Sequence, residues 1–133
     1  MKVINFAETR SLVNVFMREL RDENIQKDMM RFRRNIERIG EIFAYEISKT
    51  LHYKETKTTT CLGVATGHIA DEPIVLATIL RAGLPLHQGL LRYFDTAENA
   101  FVSAYRKYVN DNDFRIHIEY IAAPRIDGKT LVI

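Results

Sequence analysis

Ile74-Val75-Leu76-Ala77-Thr78-Ile79-Leu80 is a nearly unbroken apolar run, and Arg81-Ala82-Gly83-Leu84-Pro85 follows it directly. The turn-forming cluster Asp71-Glu72-Pro73 precedes it. A short apolar run bounded by turn signals reads as a strand buried on both faces, the kind found in parallel sheets. Pro85 suits the first turn of a helix, where its missing N–H is no loss. Leu86, Leu90 and Phe94 then line one face of a short helix. A second apolar run, Ala100-Phe101-Val102-Ser103-Ala104-Tyr105, comes next. Strand, loop, helix, strand is a βαβ unit, which predicts an α/β fold with parallel strands and a right-handed crossover.

Toward the N-terminus, Leu12, Phe16 and Leu20 fall at i, i+4 and i+8, with Ser11 placed to cap a short helix. Met29, Phe32, Ile36, Ile39, Phe43, Ile47 and Leu51 make a longer apolar stripe. It predicts one amphipathic helix over 25–51, about 40 Å long at 1.5 Å per residue. Gly40 is its one weak point. Lys27, Arg31, Arg33, Arg34 and Arg38 give this helix a basic bias, read as a solvated face rather than a dock for an anionic partner. Residues 54–66 are Thr-rich and alternate with charges, as in one or two edge strands.

Toward the C-terminus, Phe114, Ile116, Ile118 and Tyr120 alternate strictly with Arg115, His117 and Glu119, the pattern of a half-exposed strand. The turn cluster Asn110-Asp111-Asn112-Asp113 makes this region a hairpin-like arm. After Asp127-Gly128, Thr130-Leu131-Val132-Ile133 begins a third buried-type strand. Open α/β sheets bind ligands beyond the carboxyl ends of their strands, so a further site loop is expected past Ile133. The chain therefore reads as a single incomplete domain over 1–133. Residues 1–52 form N-terminal helices, and 53–133 form the first part of an α/β core with an arm at 105–124.

The 133 residues are 47% hydrophobic and 27% charged, with a net charge of +2. That composition excludes disorder as the main state, and the balance gives no reason to expect a nucleic-acid partner. No apolar run approaches the roughly 20 residues of a membrane helix, and no secretory signal follows Met1-Lys2. Cys61 is the lone cysteine. This excludes a disulfide framework, suits a reducing cytoplasm and reads as a small buried residue. His52, His68, His87 and His117 are scattered, so no metal ligands are assigned. Asp111 and Asp113 read as a turn rather than a cation loop, and no Gly-rich nucleotide motif is present.

Arg81 and Arg106 remain. Each directly follows a buried-type strand, and in a parallel sheet both would open on one edge. Guanidinium groups match the geometry of phosphate oxygens, so a polyanionic ligand at that edge is the functional reading. Two surface arginines in ordinary ion pairs fit placement alone equally well.

Ile79-Leu80-Arg81-Ala82-Gly83-Leu84 resembles the loop after the first core strand of the uracil phosphoribosyltransferases, and Tyr105-Arg106 resembles the Tyr-Arg after their next strand. Met17-Arg18-Glu19, Phe32-Arg33 and Tyr45-Glu46 resemble points in their N-terminal helices. Gly128-Lys129-Thr130-Leu131-Val132-Ile133 resembles the strand leading to their ribose-phosphate loop. The similarity runs in order along nearly the whole chain.

The resemblance implies a phosphoribosyltransferase-type parallel sheet with N-terminal helices and a β-hairpin arm, truncated before the ribose-phosphate loop. It implies a glycosyltransferase of pyrimidine salvage, converting uracil and phosphoribosyl diphosphate to uridine monophosphate and diphosphate in the cytoplasm. Arg81, Ala82, Gly83 and Arg106 would bind the diphosphate; no catalytic side chain is assigned. Mg²⁺ would arrive on the diphosphate. A homodimer through the arm and a GTP-type effector are implied as well, whereas nucleic acid and membrane are not. The 133 residues alone are expected not to turn over, because the ribose-phosphate and uracil segments would lie beyond Ile133. The departures are Lys107-Tyr108-Val109-Asn110-Asp111 after the Tyr-Arg, where bacterial members continue with acidic residues and Thr, and His87-Gln88, where many members carry an Asp. The alternatives are a related regulator or RNA-binding protein of the same fold, or a non-catalytic association module.

Overall fold

A computed structural model describes residues 3–110 and 113–133. Helix α1 (Leu12–Arg21) and helix α2 (Met29–Ser48) lead into a two-stranded ribbon, β1 (Tyr53–Thr60) and β2 (Gly63–Ala70). Then come β3 (Ile74–Leu80), α3 (Leu84–Leu91), β4 (Glu98–Asn110), β5 (Asp113–Ala122) and β6 (Thr130–Val132). The main sheet has the order β5-β4-β3-β6. β3 runs parallel to both β4 and β6, and β5 runs antiparallel to β4. The βαβ unit is thus present, with Val75 and Leu76 of the central strand wholly buried.

The predicted helix over 25–51 is two elements. Asp28 takes an extended backbone, and its side chain accepts hydrogen bonds from the amides of Met30 (3.1 Å) and Arg31 (3.0 Å). That cap starts the helix at Met29. Residues Ile25–Lys27 make a separate 3₁₀ turn, and α2 is about 30 Å long. The basic bias is largely satisfied within the molecule. Arg31 pairs with Glu19, Arg34 with Glu37 and Glu41, and Arg38 bonds Asn35 and lies over the Phe16 ring.

Gly40 is a contact point rather than a weakness. A Cβ on it would stand 2.5 Å from the Leu86 carbonyl oxygen, and one on Gly89 would stand 2.1 Å from that of Glu37. The two glycines let the backbones of α2 and α3 touch. Across this crossing Arg92 bonds both Glu37 (3.0 Å) and Glu41. Ala44 of α2, Leu90 of α3, Phe94 and Leu76 of β3 form the core beneath it.

Three other expectations change. The Thr-rich segment pairs only with itself, as a ribbon separate from the main sheet, because its two strands close on each other through a two-residue turn. Cys61 sits in that turn and is exposed, not buried. The arm strand β5 is exposed along its whole length on both faces, since no other layer lies against it. The predicted turn at Asp111-Asn112 lies outside the described residues.

Glu72 ties three segments together. Its carboxylate accepts from the His52 amide at the start of the ribbon and from the Thr130 hydroxyl of β6. The Thr130 amide meanwhile donates to the Pro73 carbonyl at 2.9 Å. The hydroxyl bond, then the His52 amide, hold the Glu72 carboxyl below its ordinary pKa. A carboxyl depressed by folding stabilises the fold above its unfolded pKa and ceases to do so as pH falls through the folded value. Urea denaturation should therefore show wild-type stability falling below about pH 4.3, where an unfolded glutamate titrates. Glu72→Gln should be less stable near neutrality and lose less on acidification.

Candidate functional site

The carboxyl end of β3 and the stretch of β4 beside and just beyond it open into one cleft of ≈ 1310 Å³. Parallel pairing sets Leu80 beside Ser103, so Arg81 lies one residue past the last paired position of β3 and Arg106 three residues past its counterpart. Both arginines line the cleft, with Ala82 and Gly83 between Arg81 and helix α3. Both arginines reach one cleft, but Arg106 does not follow its strand as expected: it lies inside β4, paired with Ile116 of β5, because β4 runs on unbroken to Asn110 as one side of the arm. Among the described residues neither arginine is in an ion pair. The Arg106 guanidinium lies 4.8 Å from the centre of the Phe114 ring, an arrangement that fixes its plane by cation–π attraction.

The loop is shaped by local crowding. The Gly83 amide donates to the Ile79 carbonyl at 3.1 Å, folding the chain back over the strand end. A Cβ at Gly83 would stand 2.1 Å from Thr78 Oγ1 and 2.9 Å from the Ile79 oxygen. No side chain fits there. The Leu80–Arg81 peptide bond is cis. Pro85 occupies the first turn of α3, as its position in the sequence indicates. Ile79, read as doubly buried, is 58% exposed, because it stands where β3 runs out into the cleft.

Several lining groups were given no role in ligand binding by the sequence. His87 is 6% exposed; its Nε2 lies 2.7 Å from Asn99 Oδ1, and its Nδ1 is buried without a partner among the described residues. The scattered-histidine pattern gave no sign of this, since His87 lies on α3 and Asn99 arrives from β4. Ser103, Tyr105, Glu119 and Tyr120 also face the cleft. Strict alternation puts Glu119 opposite in facing to Tyr120. The ladder, however, pairs Ser103 with Tyr120 and Ala104 with Ile118, leaving Glu119 as an extra residue in a bulge. Bulges re-aim side chains and are common beside active sites, and no spacing rule reveals one.

A mixed sheet in which β4, β3 and β6 run parallel, with helices against it and an antiparallel arm strand at its edge, is a phosphoribosyltransferase-type fold. The family model described as uracil phosphoribosyltransferase matches residues 7–124. A uracil phosphoribosyltransferase of Porphyromonas gingivalis is 56% identical over all 133 residues, which span 62% of that relative's length. One of Methanothermobacter thermautotrophicus is 42% identical over 108 residues, 80% of this chain and 49% of the relative. The solved structure of the AQ2163 protein from Aquifex aeolicus superposes with a TM-score of 0.77 at 25% identity, covering 92% of this chain and 57% of that one. The chain belongs to the uracil phosphoribosyltransferase family. It spans less than two thirds of the length of these relatives.

The crowding at Gly83 has a direct test. Gly83→Ala should cost about 1–3 kcal/mol, the usual range for overpacking, and should move the amide resonances of Arg81 and Ala82. Adding Thr78→Ala removes the nearest atom, so the double variant should recover part of the loss, a non-additivity that thermal melts would show.

Proposed function

We propose that the protein transfers a phosphoribosyl group from phosphoribosyl diphosphate to uracil, giving uridine monophosphate and diphosphate, as the names of its relatives describe. The observation that carries this reading is that Arg81, just past the end of β3, and Arg106, on the adjacent parallel strand β4, line one cleft. The diphosphate end of the substrate would lie there. As the ribose C1–O bond breaks, negative charge gathers on the leaving diphosphate while the ribose gains oxocarbenium character. Fixed guanidiniums already aimed at that position stabilise the charge without reorganising. The side-chain-free backbone at Gly83 allows close approach by the phosphates. The pathway would be pyrimidine salvage in the cytoplasm. Among the described residues, no helix is long and apolar enough to cross a membrane.

Mg²⁺ would come with the diphosphate. Among the described residues no group of three or more His, Cys, Asp or Glu side chains could hold a metal. Carboxylate Glu119 and hydroxyl Ser103 do line the cleft. That donor set fits a cation held mainly by phosphate oxygens, the usual mode for Mg²⁺. Bound there, the ion would supply further neutralisation of the leaving group.

The arm supports a second proposal, a two-fold homodimer. Phe114, Ile116 and Ile118 on one face of the arm, and Tyr120 beyond the bulge, are all exposed, and exposed apolar side chains clustered in this way normally find a partner. Sedimentation should show a dimer, and Ile116→Asp should shift it toward monomer with the fold retained. A monomeric wild type at high concentration would remove the proposal.

For the cleft, Arg81→Ala and Arg106→Ala should each weaken diphosphate binding about tenfold or more, the effect of losing a charged hydrogen-bond partner. Lysine at either position should restore only part, because it lacks the planar fork. Binding should weaken with salt, as expected of an exposed charged site. Titration of diphosphate by calorimetry, beside an assay of uridine monophosphate formation, checks this. Unchanged binding in both alanine variants would refute the assignment.

A further inference from the structure

We infer that His87 is a positioning residue for the cleft: its bond to Asn99 sets the seat of α3 on the sheet, and with it the place from which Arg81 meets an anion. The inference rests on the reading of the cleft as a diphosphate site and adds a residue that acts on it through the loop. Three observations carry it. His87 Nε2 lies 2.7 Å from Asn99 Oδ1, and among the described residues this is the one side-chain hydrogen bond between α3 and the sheet. The His87 amide donates to the Gly83 carbonyl at 3.0 Å, so the anchored residue stands one turn from the 81–83 loop. Neither ring nitrogen is left for a ligand, because Nε2 is taken by Asn99 and Nδ1 is buried with no partner among the described residues.

Apolar packing alone does not choose a rotation for α3. At helical spacing Leu84 and Leu91 project to one side and Leu86 and Leu90 to another, so several rotations bury apolar surface. The hydrophobic effect is non-directional. A hydrogen bond weakens steeply once its length or angle departs from the ideal, so it selects one placement. Against a carbonyl oxygen Nε2 must carry the hydrogen of the neutral imidazole, which leaves Nδ1 a bare acceptor. A buried acceptor without a donor costs stability. His87 is therefore poorly suited to holding α3 down and well suited to fixing where it sits, the registry role best attested for polar groups in apolar surroundings. The anchor point is rigid, since Asn99 stands beside the wholly buried Leu76 in the ladder and the His87 ring lies 5.2 Å from that of Phe101. The glycine crossing fixes α3 against α2, and the His87–Asn99 bond fixes it against β4.

Calorimetric titration of inorganic diphosphate into the whole chain, with thermal melts and amide spectra of each variant, tests this. Asn99 is exposed and does not line the cleft, so Asn99→Ala removes the anchor while leaving the fold and the ligand contacts in place. It should weaken diphosphate binding about tenfold, the effect of misplacing a charged hydrogen bond, and shift the amide resonances of Arg81 and Ala82. His87→Leu should do the same. The two changes together should weaken binding no further than either alone, as for residues that act through one bond. His87→Gln carries an amide that can donate to Asn99 in place of Nε2, and should bind diphosphate within about threefold of the wild type. Glu55→Gln, on the distant ribbon, serves as the neutral control. A folded Asn99→Ala variant with wild-type binding and wild-type Arg81 and Ala82 resonances would overturn the inference and leave the diphosphate site standing. Additive losses in the double variant, or a His87→Gln variant no better than His87→Leu, would overturn it too, since the ring would then act by packing alone. Failure of the wild type to bind diphosphate would overturn the reading of the cleft, and the loop resonances of the same variants would then decide the inference by themselves.

Discussion

Everything in the cleft depends on how closely α2 can approach α3. The two helices touch backbone to backbone at Gly40 and Gly89, where even a methyl group would overlap the opposing carbonyl. Interiors packed at crystal-like density transmit such a constraint instead of absorbing it. The distance between the helices sets where α3 lies on the sheet, and α3 begins immediately after the 81–83 loop. The N-terminal helices contain no cleft residue, yet they pack against the helix that closes the loop carrying Arg81. The Arg34, Glu37, Glu41 and Arg92 network straddles the same crossing. At the surface such pairs contribute little energy; their geometry favours one rotation of α3 over others.

A second layer of constraint works from the other end of β3. Glu72 gathers the ribbon, the central strand and β6 at the amino edge of the sheet, while the cleft occupies the carboxyl edge. The acid-sensitive clamp and the ligand site are thus separated by the length of one strand. Between them lie Val75 and Leu76, the most deeply buried large side chains of the sheet. The division is physically sensible. Rigidity comes from a dry centre and a tied amino edge, so the carboxyl edge can carry an exposed, polar loop without weakening the whole.

Arg106 is steadied by Phe114 of the arm, so the strand proposed to meet a second subunit also holds a ligand-facing guanidinium. The bulge at Glu119 sits in the same ladder. The arm therefore carries two of the charged groups that face the cleft.

The sequence by itself determined the βαβ unit, the parallel pairing and the two arginines. Each follows from short-range signals: the apolar run 74–80, the Gly83 and Pro85 punctuation, and an arginine after each apolar run, although the second run proved to continue as strand through Arg106 to Asn110. The family was legible too, since Ile79-Leu80-Arg81-Ala82-Gly83-Leu84 and Tyr105-Arg106 lie in order along the chain. What only tertiary structure decided arises from contacts between distant segments. Gly40 looked like a flaw in a helix because Gly89, which explains it, is far away in sequence. His87 looked unremarkable until β4 brought Asn99 to it. Cys61 read as buried because composition reports the habit of a residue type, whereas exposure at a ribbon tip depends on what the ribbon packs against. Alternation grouped Tyr120 with Phe114, Ile116 and Ile118, whereas the ladder pairs it with Ser103 while Ile118 pairs with the next residue, Ala104, because a bulge belongs to the pairing of two strands and leaves no periodic trace in either one.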